Sequence, residues 1–181
     1  MKKVLALALS LSLILAIGVA GTLAWLTSET KTITNTFTLG SLTAELYETD
    51  PVTKEKASDG LAFTNVAPGD VLHKDPTIKL TAGSGWVFIG VNNANTGISF
   101  TPNPKWSQVG TYTPNDITYT VYGYNEIVAA NAPQTLFSNV TVANNINAST
   151  TLTPITVIGL AVQADNLTSL ADAWAALNPS T

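Results

Sequence analysis

The stretch GSGWVFIGV, Gly83 to Val91, places six almost wholly apolar residues directly behind a Gly-Ser-Gly break. A short apolar run of β-branched and aromatic residues, punctuated by glycine, fits a strand buried in the middle of a sheet. Trp86–Val91 is therefore expected to be a central strand, and the fold is expected to be all-β. On its N-terminal side, Thr77–Thr81 alternates between polar and apolar residues, as a half-buried strand does. Further upstream, Leu61–Val66 fits a strand closed by Ala67-Pro68-Gly69-Asp70. Proline presets φ there and glycine accepts the positive φ of a type II turn. Phe37–Glu48 is an earlier run, with Leu42, Ala44 and Leu46 in alternation.

Downstream, strands are expected at Ile98–Thr101, at Ile117–Tyr124 with its three tyrosines, and at Leu136–Val142. Ile155–Gln163 is so continuously apolar that burial on both faces is expected. This spacing of short strands and turn residues predicts an antiparallel β-sandwich. Leu167–Leu177 is the exception. Leu170, Ala173, Trp174 and Leu177 recur at helical spacing, with Ser169 and Asp172 placed as a cap. A short C-terminal helix is predicted there, packing Trp174 on the sandwich. The segments 50–60, 92–97 and 101–116, rich in Asn, Thr, Pro and charge, are expected to be exposed connections.

The first 24 residues are a different material. Lys2 and Lys3 precede an apolar run, Val4 to Ala20, and then the small-residue stretch Gly21-Thr22-Leu23-Ala24. This is the layout of a secretory signal peptide, and cleavage is expected between Ala24 and Trp25. The alternative is an uncleaved anchor, since Val4 to Ala24 is about long enough to span a bilayer. The expected division is a signal peptide over 1–24, an N-terminal strand over 25–36 and a sandwich domain over 37–181.

The portion from Trp25 onward keeps six lysines, no arginine and all twelve acidic residues, a formal charge of −6. Nucleic acid is excluded as an expected partner, because phosphate binding needs clustered cations. There is no cysteine, hence neither disulfide nor thiolate metal site. A domain of this length must draw its stability from its core. A secreted chain without cysteine fits a Gram-positive source.

Chemistry is sparse. His73, in Leu72-His73-Lys74-Asp75, is the single histidine and cannot by itself supply a zinc site of two or more imidazoles. Ser84 in Gly-Ser-Gly lacks the nucleophile-elbow motif and is expected to be a turn residue. Asp50, Glu55 and Asp59 do not match a calcium loop. No catalytic residue, metal ligand or cofactor is expected. Exposed Trp106 and Tyr112 offer one alternative, a secreted monomeric adhesion or carbohydrate-binding module.

Three segments carry a resemblance. GTLAWLTSETKTITNTFTLGSL contains Gly21, Thr22, Ala24, Trp25, Asn35, Phe37, Gly40 and Leu42 at the spacing of one family's N-terminal signature. TNVAPGDVLHKDPTIKL and TPITVIGLAVQAD, with ADAW soon after, are similar to that family's Pro-Gly-Asp turn and to its closing strand and helix. The chain thus resembles the TasA/camelysin family of secreted bacterial proteins at both ends, with the middle unmatched. The resemblance implies export, removal of the signal by a SipW-type signal peptidase, a jelly-roll-like sandwich, and self-assembly into biofilm-matrix fibres, with accessory matrix proteins as further partners. It also carries the further alternative of a camelysin-like metalloprotease.

In such fibres the new N-terminus of one subunit lies as a strand in the next. The resemblance implies a polymerisation segment holding Trp25, Leu26, Ser28, Thr30, Thr32, Ile33, Thr34 and Asn35. The residues suit that role. Threonine favours strands, and no Pro or Gly interrupts Trp25 to Asn35. Adding a strand to a free sheet edge is β-augmentation. The competing reading is that the same residues form the first strand of their own sandwich, or a frayed end.

Overall fold

A computed structural model describes residues 42–57, 61, 63, 66–95, 97–146 and 152–177. The signal-peptide region and the whole of Trp25–Asn35 lie outside the described residues, as do residues 36–41.

The described chain is mostly antiparallel β-sheet with one short C-terminal helix, consistent with an all-β sandwich. The strands, in chain order, are β1 Thr43–Thr49, β2 Lys56–Ala57, β3 Val71–His73, β4 Thr77–Ala82, β5 Ser84–Asn92 and β6 Ile98–Phe100. There follow β7 Trp106–Tyr112, β8 Tyr119–Tyr124, β9 Val128–Ala129, β10 Gln134–Thr135, β11 Asn139–Val142 and β12 Thr156–Gln163, and then the helix α1, Leu170–Leu177. One sheet runs β10-β4-β1-β2 and a small one β3-β11-β6. The largest runs β12-β5-β8-β7, with β9 added to β5.

β5 is the central strand expected from GSGWVFIGV, and seven consecutive residues of it are buried. The pleat sends successive side chains to opposite faces, and both faces are covered. Val87, Ile89 and Val91 join Leu46, Ile78, Leu80 and Val140 in the interior of the sandwich. Trp86 and Phe88 point the other way, into a second cluster with Val121, Leu160, Ala173 and Leu177. The helix is therefore a third layer. Its Trp174 ring lies 5.7 Å from that of Phe88 at 45°, and the Trp86 indole N–H donates to the Leu167 carbonyl at 3.2 Å.

The helix begins where Ser169 caps it. The Asp172 amide donates to Ser169 Oγ at 3.1 Å, and Ser169 Oγ donates back to the Asp172 carboxylate at 2.7 Å. The turn at Ala67–Asp70 also forms as expected. Gly69 has φ +86°, and the Asp70 amide donates to the Ala67 carbonyl at 3.2 Å.

Five expectations need correction. The segment 101–116 is not simply an exposed connection, because β7 occupies its second half as a strand of the largest sheet. A register shift between Gln108 and Gly110 breaks its alternation, which hides the strand from a period-two reading. Trp106 is buried, with its indole N–H donating to the Thr135 carbonyl at 3.0 Å and its ring edge-on to Tyr124. Leu61–Val66 is not a strand at its described residues Leu61, Phe63 and Val66. The Leu61 amide instead donates to a side chain, the Glu48 carboxylate, at 3.1 Å. Leu136–Val142 is two things, a buried crossover at Leu136 and Phe137 and then β11 in a different sheet. The Leu136 amide donates to the Pro76 carbonyl at 3.0 Å while Asn103 donates to the Leu136 carbonyl. Finally, Ser84 and Gly85 begin β5 rather than interrupt the chain before it; the bend is confined to Gly83, at φ +76°.

Candidate functional site

Two features of the fold are available for function. One is a polar clamp beside an apolar groove at the end of β1, and the other is the row of sheet edges.

The alternation that buries Leu42, Ala44 and Leu46 on the inward face of β1 continues onto Glu48, which is 1% exposed. A buried carboxylate needs partners. Lys74 supplies its ammonium at 2.5 Å from Glu48 Oε1, and the Leu61 amide supplies a second donor to Oε2. The neighbours of Lys74 hold the next residue of β1. Asp75 Oδ1 accepts from the Thr49 amide at 2.7 Å, and His73 Nε2 lies 3.1 Å from the Thr49 carbonyl. His73 Nε2 also lies 3.4 Å from Asp75 Oδ1. The Leu72-His73-Lys74-Asp75 motif is thus a clip that fixes the end of β1. The sequence singled out His73 and missed Lys74 and Glu48. The signal for Glu48 was the inward alternation itself, carried one step past Leu46.

Lys74 lines the wall of a groove of about 310 Å³ whose other walls are apolar, chiefly Leu61, Phe63, Leu72, Val140 and Ile155. Among the described lining residues there is one cation, Lys74, and it is already bound to Glu48. The arrangement suits apolar side chains, and its described lining residues include no nucleophile–base pair. Among the described residues no three of His, Cys, Asp and Glu converge as a cation site. No described helix is long and apolar enough to cross a membrane.

β1 and β12 lie close across the interior. A Cβ at Gly159 would be 3.3 Å from Leu46 Cβ, and one at Gly85, which pairs with Gln163, would be 3.3 Å from Leu42 Cδ1. Leu42 is thus at the Gln163 end of β12 and Leu46 is opposite Gly159, so the two strands run antiparallel. The groove lies by residues 152–155, immediately before the other end of β12. Among the described residues, β2 pairs with the outer side of β1 at Glu48 and Thr49. Its outward Glu45 sits between Lys56 at 2.5 Å and Lys79 at 2.8 Å. Partial burial works to raise the Glu45 pKa, but the hydrogen bonds from the two ammonium groups outweigh it and hold the carboxyl below its usual value.

The residues expected to mark cleavage and polymerisation, Ala24 and Trp25 through Asn35, lie outside the described residues. Trp106 and Tyr112, the aromatic pair offered for carbohydrate contact, share β7, but Trp106 belongs to the inner core and Tyr112 is only half-exposed against the second cluster. No family model, no curated protein and no solved structure matches the chain.

Proposed function

We propose that this chain is a secreted structural subunit that polymerises into extracellular matrix fibres, with a jelly-roll type of sandwich and an N-terminal donor strand. The observation that carries this reading is the Gly21–Leu42 stretch. It joins a signal-like segment to a strand-forming one with no spacer, and resembles the TasA/camelysin signature. Cleavage after Ala24 by a SipW-type peptidase makes Trp25 the new N-terminus. The segment Trp25–Asn35 then enters the sheet of another copy and supplies main-chain hydrogen bonds. Such a head-to-tail contact does not close on itself, so it propagates as a filament. The role requires no catalytic group and no cofactor. Its partners are further copies of the chain, the peptidase and any accessory matrix proteins, and its place is the cell surface or the extracellular matrix.

The all-β architecture supports this reading, because a sandwich offers sheet edges. The adhesion alternative loses one of the two aromatics on which it rested, since the Trp106 indole is buried and its N–H is used within the core.

The test is electron microscopy of mature protein beginning at Trp25, beside a variant lacking Trp25–Asn35. Filaments from the first and folded monomers from the second are expected. Monomers from both reject the fibre role. A deleted protein that does not fold assigns the segment to its own sandwich.

A further inference from the structure

We propose that Lys74 and Glu48 condense to an intramolecular amide, a covalent bond between the end of β1 and the connection from β3 to β4. The inference is independent of the fibre reading.

The two groups are placed to react. Lys74 Nζ lies 2.5 Å from Glu48 Oε1, with the side chains 7% and 1% exposed. A carbon–oxygen bond of about 1.2 Å then keeps Nζ within about 3.7 Å of the Glu48 carboxyl carbon. Reacting atoms held at about 3–3.5 Å in a fixed orientation behave as if at a very high concentration. Both partners are fixed from the backbone. The Leu61 amide donates to Glu48 Oε2 at 3.1 Å, and the Lys74 amide donates to the Ser138 carbonyl at 3.2 Å. On either side of Lys74, His73 and Asp75 grip Thr49, the residue after Glu48.

The surroundings favour the neutral product. An ammonium carries three donors, and among the described residues the Lys74 ammonium has one acceptor, Glu48 Oε1. Two charges taken out of water are costly, and buried donors without acceptors add to that cost. Condensation removes both charges and two of the three N–H groups. The amide carbonyl that remains keeps the Leu61 donor.

The step balances within the pair. Nζ gives one proton to Oε1, leaving an amine beside a carboxylic acid. The nitrogen lone pair attacks the carboxyl carbon, the N–C bond forms, and Oε2 carries the negative charge against the Leu61 N–H. A second proton passes from Nζ to Oε1. The C–Oε1 bond breaks, Oε1 leaves with that electron pair as water, and Oε2 becomes the amide oxygen. No oxidant or further reactant is needed. The water has a way out, because Lys74 lines the groove.

The bond would close a loop between positions 26 apart. That is the restraint on the unfolded chain that a disulfide gives, in a chain without cysteine. The uncondensed form holds the ion pair and is the reference against which substitutions at Glu48 and Lys74 change stability.

The test is intact-mass measurement and tryptic peptide mapping of the folded chain, at purification and after prolonged incubation. A mass one water below that of the sequence is expected. So is a branched peptide joining residues 32–54 to residues 57–79 through Glu48 and Lys74, with no cut after Lys74. The same protein kept unfolded in urea should retain its full mass. Folded Lys74→Arg should do so too, since it keeps the cation but presents no amine. The map of the unsubstituted protein decides the matter even where Lys74→Arg does not fold. Full mass after incubation, with a tryptic end at Lys74, overturns the proposal. A lost water that maps elsewhere, such as Asp59-Gly60, also overturns it, as does a branched peptide that forms equally in the unfolded chain.

Discussion

The Lys74 ammonium lies 2.5 Å from the Glu48 carboxylate, and their side chains are only 7% and 1% exposed. The pair joins the end of β1 to the short connection between β3 and β4. A buried ion pair adds little over apolar residues of the same size, but removing one partner strands the other charge.

Lys74→Met should therefore destabilise the domain by about 3–5 kcal/mol, a large part of the about 5–15 kcal/mol of an ordinary domain. Adding Glu48→Leu to Lys74→Met should restore most of that loss. Urea unfolding of the two variants measures it, and a double variant no better than the single one would show that the pair has no such coupling.

Phe88 is fully buried between β8 and the helix, in contact with Trp174. Phe88→Ala should cost about 3–5 kcal/mol, the transfer term plus the cavity. An unchanged melting temperature would contradict the three-layer packing.

At Gly85 an added Cβ would stand 2.3 Å from the Val162 carbonyl oxygen, which is backbone and cannot rotate away. At Gly159 the nearest atoms are side-chain atoms of Ile78 and Leu46 at 3.3 Å. Gly85→Ala should be destabilising by at least about 1–3 kcal/mol, and Gly159→Ala by clearly less. Thermal melts of the two variants, ranked, give the answer.

Asp172 is held below the ordinary carboxyl value of 3.8, first by the Ser169 hydroxyl and then by that of Thr168. A depressed folded-state pKa means that the carboxylate stabilises the folded state at pH above 3.8, and that this contribution fades as pH falls through the lowered value. Asp172→Ala should lower the melting temperature at neutral pH, and the gap to the unsubstituted protein should close well below pH 3.8. A gap that is the same at both pH values would assign the effect to packing rather than to charge.

Much of the strand content was legible locally. Trp86–Val91 and Thr77–Thr81 carry their own period and their own breaks, and Ser169 with Asp172 announces the helix start. These depend on side chains within a few residues of each other. β7 was not legible, because its register break shifts the alternation and because Trp106 finds its partners, Tyr124 and the Thr135 carbonyl, only after the chain has turned back.

By itself, then, the sequence determined the elements whose information is periodic: the buried β5, the alternating β1 and β4, the continuous β12 and the capped helix. It also determined that no disulfide contributes, since there is no cysteine. Tertiary structure alone decided which charges are buried and which strands pair. Lys74 and Glu48 are 26 residues apart, and although the inward alternation of β1 marks Glu48, nothing local marks Lys74 as its buried partner until β1 and β4 pair. Likewise Thr156–Gln163 is only an apolar run until it pairs with β5 in an unbroken register. Pairing partners are chosen by contacts distant in sequence, and a one-dimensional pattern does not contain them.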